Sequence, residues 1–163
     1  MKKWLWSLAV IYLVLLTWII LFKMSLRIPP LGHYRMINMI PFADPAIING
    51  KVNQTEQIYN FLIFVPVGIY LSLLFGSRFL KNSLIIAGIS LFYEVMQYIL
   101  GIGATDVTDL LLNTAGGIAG LFIFWLLKKL LKKKTEPILL ILATVCTILF
   151  ISLFLVLFIA NHR

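Results

Sequence analysis

Glu94, Gln97, Asp106, Asp109 and Asn113 fall within one stretch of twenty residues, inside or against two segments otherwise apolar enough to span a membrane. Carboxylates and amides are expensive in hydrocarbon, so a cluster of them there marks a functional site by default. The chemistry open to such a set is narrow. Glu94 can serve as a general acid or base, with Asp106 and Asp109 as its partners or as ligands of a hard cation. The same groups can instead hold a ligand by hydrogen bonds, with no bond made or broken. His33 and His162 lie outside the apolar segments. No serine–histidine pairing, CxxC pair or phosphate loop makes a reaction class specific, and neither a cofactor nor a resident metal is expected.

The elements that must position these residues follow from composition. Hydrophobic residues make up 61% of the 163, charged residues 12%, and the mean hydropathy is +1.01. These values exclude a soluble globular domain and indicate an integral membrane protein. A hydrocarbon core of about 30 Å needs roughly 20 helical residues, and five stretches qualify. They are Trp4–Phe22, Ile58–Phe75, Leu84–Leu100, Leu110–Leu127 and Pro137–Ala160. The alternation of a membrane β-barrel is absent, so the expected class is all-α, a bundle of about five transmembrane helices. The whole chain reads as one membrane domain. Its first apolar run is too long for a secretory signal and is expected to remain as an anchor. Cys146, the single cysteine, reads as a small packing residue within the fifth helix.

Charge suggests the orientation. Lys2, Lys3, Arg78, Lys81, Lys128, Lys129 and Lys132–Lys134 fall on one side of a five-span arrangement, and Lys23, Arg27, Arg35, Lys51 and Arg163 on the other. The richer side should be cytoplasmic, with the amino terminus inside and the carboxyl terminus outside. The net charge of +8 is then mostly an orientation signal, and the run from Lys128 to Lys134 also suits anionic lipid headgroups. No nucleic-acid-binding motif accompanies the basic residues, and no nucleic-acid partner is expected. The first loop, Lys23–Gln57, lies on the outer side. Pro41 and Pro45 forbid a continuous helix there, while Met36, Ile37, Met39, Ile40 and Phe42 are expected to bury against the bundle or dip into the interface. That loop is either an interfacial connector or a lid over a binding site.

At 100° per residue, Ser90, Glu94 and Gln97 share an arc of about 60° on the third helix. Asp106, Asp109, Asn113, Gly117 and Gly120 share an arc of about 80° on the fourth. Gly116 and Gly120 form a small-xxx-small pair that admits a neighbouring backbone, so the fourth helix should be central. Glu94 and Asn113 lie about 9–10 Å inside the outer ends of their helices and can sit at one level. Asn60, near the outer start of the second helix, is a candidate third member. Plainer roles stand beside these. Asp106 suits the N-cap of the fourth helix and Asp109 its first turn. Glu94 can hydrogen-bond Gln97 and Asn113 merely to fix packing, and Asn60 can be an ordinary interhelical hydrogen-bonding residue.

Five segments also carry a family likeness: INMIPF (Ile37–Phe42), NFLIFVPVG (Asn60–Gly68), EVMQ (Glu94–Gln97), GIGATDVTD (Gly101–Asp109) and NTAGG (Asn113–Gly117). In order and spacing they resemble the VanZ family over about residues 4–127, leaving an additional helix at 137–160. Many members carry an arginine shortly before the first aspartate of the D-x-x-D-x-x-x-N element, where this chain has Gly103 and Ala104. The role of that arginine does not transfer. The resemblance implies low-level resistance to teicoplanin-type lipoglycopeptides without remodelling of the peptidoglycan precursor, in a Gram-positive cell envelope.

Two mechanistic classes are carried forward. In the first, a non-enzymatic membrane factor uses an outward polar cleft to engage the antibiotic, its lipid tail or a lipid-linked wall precursor. Asn60, Glu94, Gln97, Asp106, Asp109 and Asn113 would line that cleft, and Gly116, Gly117 and Gly120 would pack its helices. In the second, an intramembrane enzyme acts on a lipid-linked envelope substrate through Glu94, Asp106 and Asp109. The first is preferred because it explains resistance without demanding chemistry. A proton-coupled transporter is disfavoured, since the polar residues occupy only the outer halves of the helices. Membrane lipids are expected partners, and the oligomeric state is left open.

Overall fold

The structure, a computed structural model, describes residues 2–22, 31–32, 34–43, 46–48 and 51–161. Lys23, Arg27, His33, Pro45, His162 and Arg163 lie outside the described residues. The helices are α1 (Lys2–Phe22), α2 (Thr55–Phe75), α3 (Phe79–Leu100), α4 (Val107–Leu131) and α5 (Thr135–Asn161). Among the described residues, four helical runs are long and apolar enough to cross a membrane. They are Lys2–Phe22, Thr55–Phe75, Phe79–Leu100 and a 50-residue run, Val107–Val156. At 1.5 Å per residue an unbroken helix of that length would measure about 75 Å, more than twice a hydrocarbon core. The run is divided at Lys132, where φ is +51°, followed by a single 3₁₀ turn, Lys132–Lys134. Thr135 Oγ1 donates to the Leu127 and Lys132 carbonyls and satisfies acceptors that the helix end leaves open. The chain is thus a multi-pass helical membrane protein.

The structure lengthens all five helices expected from hydropathy, α2, α3 and α4 most at their starts. α2 starts at Thr55, α3 at Phe79 and α4 at Val107. Their first turns are polar or interfacial, and backbone pairing there depends on helix geometry rather than on apolar content. α3, for which hydropathy marks only Leu84–Leu100, has 22 residues.

The chain divides into two units. In one, α1 and α5 meet: Trp4 Nε1 donates to Thr144 Oγ1 at 3.1 Å, and Trp18 meets Phe154 edge to face at 5.1 Å. Both contacts advance along the two helices in the same direction, so α1 and α5 run parallel. Cys146 corrects the sequence reading. It is exposed rather than packed, about 100° around α5 from the buried Thr147.

The second unit holds α2, α3, α4 as far as Leu126, and four short strands that no apolar alternation announced. Strand β1 (Tyr34–Asn38) pairs parallel with β4 (Ile102–Asp106), Asn38 opposite Asp106. β2 (Ala46–Ile48) pairs antiparallel with β3 (Lys51–Asn53). α4 touches both α2 and α3. A Cβ on Gly116 would strike the Phe61 carbonyl, one on Gly120 the Val65 carbonyl, and one on Gly68 the Gly117 carbonyl. From Phe61–Gly116 to Val65–Gly120 the contacts advance along both helices, so α2 and α4 run parallel with their backbones in contact. Gly117 faces Ile86 of α3.

Gly101 ends α3 in the left-handed conformation, φ +61°, its N–H reaching the Gln97 and Tyr98 carbonyls. The Gly32 N–H donates to Leu100 O at 2.8 Å, and a Cβ on Gly101 would lie 2.6 Å from Gly32 Cα. This glycine pair brings β1 into register beside β4. Gly101→Ala incurs about 1–2 kcal/mol for the left-handed backbone alone. It also pushes Gly32 away, so hydrogen exchange should quicken through residues 34–38 while α2 and α4 stay protected.

Candidate functional site

The site forms where the end of α3, strand β4 and the start of α4 meet under the β1 segment. Ser90, Glu94 and Gln97 lie on one face of α3, and all three are buried, Glu94 at 2% exposure. Asn113, at 1% exposure, donates from Nδ2 to Ser90 Oγ at 3.1 Å, joining α4 to α3. Its Oδ1 has no hydrogen-bond partner among the described residues. A buried acceptor left open in this way costs free energy.

Glu94 is held by backbone. Its Oε2 accepts from the Asp106 N–H at 2.9 Å, while its own carbonyl accepts from Thr105 Oγ1 at 3.0 Å. The turn from α3 through β4 therefore folds back onto the carboxylate. Asp109 and Asp106 lie close enough to act on Glu94 electrostatically, so three acidic groups share this end of the unit. Gln97 packs beneath Gly103, its amide 3.8 Å from where a Cβ would stand.

Asp106 has a defined structural role. Its Oδ1 accepts from the Thr108 N–H at 2.7 Å, the N-cap arrangement for a helix starting at Val107. Its Oδ2 accepts from Asn38 Nδ2 at 3.3 Å. Both oxygens are thus engaged in capping α4 and in holding β1. Asp109, half-buried in the first turn of α4, sits where the helix dipole favours a carboxylate. Asn60 is half-buried on α2 beside Phe61, and none of the hydrogen bonds that tie the cluster among the described residues runs to it.

Three contributors were not singled out as site residues from the sequence: Asn38, Thr105 and Thr108. Asn38 Oδ1 accepts from the Ile40 N–H at 3.1 Å, and Thr108 Oγ1 accepts from the Phe42 N–H at 3.0 Å. Phe42 has φ +59°, a conformation these contacts hold in place. The segment 38–42 therefore lies across the start of α4. Its apolar side chains point outward: Met39 is 72% exposed, and Met36, Ile37, Ile40 and Phe42 are all exposed. They do not bury against the bundle among the described residues. The signal for Asn38 was its place in INMIPF, but periodicity assigns no facing to an irregular segment.

Comparison with known proteins bears on this arrangement. A sequence profile of the VanZ/LLP1 family matches residues 9–128, which include every residue of the cluster. Protein VanZ of Enterococcus faecium is 37% identical over 131 residues, covering 78% of each chain. No solved structure matches. The buried Glu94–Ser90–Asn113 group and its β1 cover lie inside the matched region, and the chain belongs to the VanZ family.

Proposed function

We propose that this protein is a VanZ-type membrane factor that lowers susceptibility to teicoplanin-type lipoglycopeptides without enzymatic change to the wall precursor. The cluster at the α3–α4 end faces outward and engages the drug or a lipid-linked envelope component. The amino terminus lies in the cytoplasm and the carboxyl terminus outside, as the distribution of basic residues favours. The supporting observation is the pairing of a buried polar group with an exposed apolar segment. Residues 38–42 lie on Asp106 and Thr108, next to the buried Glu94 that the Asp106 N–H contacts, and their Met39, Ile40 and Phe42 are exposed. An amphiphile with a cationic amine and an acyl chain suits both parts: the chain lies along the segment, and the amine meets the acidic groups beneath it. The full engagement of Asp106 in capping favours binding over catalysis, because it removes one of three acid–base candidates.

The test is teicoplanin and vancomycin susceptibility in a sensitive Gram-positive host expressing wild type or Glu94→Gln, with membrane levels matched. Glutamine keeps an oxygen to accept from the Asp106 N–H but removes the charge. We expect selective protection against teicoplanin by the wild type and its loss, fourfold or more in roughly the inhibitory concentration, in the variant. Full protection by Glu94→Gln would remove the charge from the mechanism. No protection by the wild type would detach the chain from drug resistance.

A further inference from the structure

At the other end of the second unit, where α2 turns into α3, a partly open cavity of about 290 Å³ is lined by Ser72, Ser77, Phe79, Asn82, Leu121 and Trp125, with Phe122 beside them. Asn82 lies twelve residues before Glu94 on α3, so the two are about 18 Å apart along the helix. This cavity is distinct from the site above. Its wall is overwhelmingly apolar. Phe122 and Trp125 stack at 5.5 Å, and both are exposed, as is Phe79. Asn82, completely buried, donates from Nδ2 to Gly76 O at 2.9 Å and fixes the turn that shapes the opening. A tryptophan near a helix end is a residue type found at the membrane–water boundary.

The charge beside the cavity is unbalanced. Arg78 stands between two lining residues, Lys81 adjoins a third, and both are exposed. They flank the N-terminus of α3, which has no acidic residue in its first turn and no side-chain cap. A helix N-terminus carries a partial positive charge and free N–H donors, so two cations there oppose the dipole. An anion would offset all three positive contributions at once. We propose that the cavity binds one anionic glycerophospholipid from the adjoining leaflet, its phosphate at the start of α3 between Arg78 and Lys81. Part of one acyl chain lies along Leu121, Phe122 and Trp125. The volume sits at the lower edge of the roughly 300–1,000 Å³ of small-molecule pockets, which fits a segment of one chain rather than a whole lipid.

The experiment is native mass spectrometry of the full-length protein, released from detergent micelles containing equal dioleoyl phosphatidylglycerol and dioleoyl phosphatidylcholine. Their tails are identical, so a preference reports the headgroup. The wild type is expected to retain phosphatidylglycerol preferentially. Arg78→Gln with Lys81→Gln should lower that preference by roughly fivefold per charge removed. Ser77→Trp, at an exposed lining position, fills the mouth without changing charge and should abolish retention of both lipids. Equal retention of the two lipids by the wild type, or a preference unaltered in the double variant, overturns the anionic site. Undiminished retention in Ser77→Trp overturns the cavity as the place where the chain lies.

Discussion

Gly120→Leu is expected to prevent the protein from accumulating in membranes in folded form. The glycine Cα faces α2 so closely that an added Cβ would strike the Val65 carbonyl and stand 3.2 Å from Gly68 Cα. Inserting methylenes into a packed interior typically costs about 1–3 kcal/mol when side chains can shift. Here the obstacle is backbone, and a helix cannot yield locally without breaking its hydrogen bonds. Relief requires α2 and α4 to separate along their whole contact, which also opens Gly116 from Phe61 and Gly68 from Gly117. The effect should exceed that range and exhaust the stability of a small domain. Gly88→Leu provides the control. Among the described residues, nothing beyond the local backbone of α3 lies within 4 Å of a Cβ at that position. Membrane abundance and the melting temperature in detergent should collapse for Gly120→Leu and stay near wild type for Gly88→Leu. Equal behaviour of the two would mean that α2 and α4 do not approach as described.

The second large effect is expected at Asp106. Alanine there removes the cap on α4, worth about 1–2 kcal/mol, and the hydrogen bond to Asn38, worth about 1 kcal/mol more. The two losses fall on one element. Without Oδ1 the Thr108 N–H is uncovered, and without Oδ2 the end of β1 is untied from β4. Faster hydrogen exchange and easier proteolysis should therefore appear in residues 34–42 and in the first turn of α4, with little change at the α2–α3 turn. Asp106→Asn should lie closer to wild type in stability: asparagine caps almost as well, and its Nδ2 pairs with Asn38 only if that amide turns its oxygen toward it and gives up the Ile40 N–H. Resistance measured in the two variants then separates architecture from charge. If Asp106→Asn protects cells and Asp106→Ala does not, this residue acts by holding the segment 38–42 over Glu94. If both fail at equal abundance, its charge participates directly.

Much of the second unit was legible from residue types. A run such as Leu110–Leu112 followed by Asn113 and the glycines can only be helix in lipid, and its periodicity separates a polar, notched stripe from an apolar remainder. That Ser90, Glu94 and Gln97 share one face follows from their spacing alone. What periodicity cannot supply is the partner of each face. Gly116 and Gly120 imply a close neighbour without saying that it is the backbone of α2 at Phe61 and Val65, because every helix in the chain is apolar enough to be that neighbour. Cys146 shows the same limit, since in an apolar helix both inward and outward faces accept cysteine.

The β1–β4 pairing was not legible for a different reason. Five residues opposite five others, more than sixty positions apart, leave no periodic trace when neither strand is regular or alternating. Asn38 became a site residue only through that pairing, and Thr105 and Thr108 through equally distant or irregular side-chain contacts with the Glu94 carbonyl and the Phe42 N–H.

The sequence by itself determined that this is a helical membrane protein of the VanZ family, where its helices run, and which faces of α3 and α4 are polar. These properties depend on local composition and on a fixed rotation per residue, both of which can be read along one strand of text. Only the tertiary structure decided that α2 runs parallel against α4, that Asp106 offers Glu94 its backbone N–H rather than its carboxylate, and that residues 38–42 lie across the start of α4. Those depend on contacts between distant positions, which are selected by the free energy of the whole packed unit and by no segment of it alone.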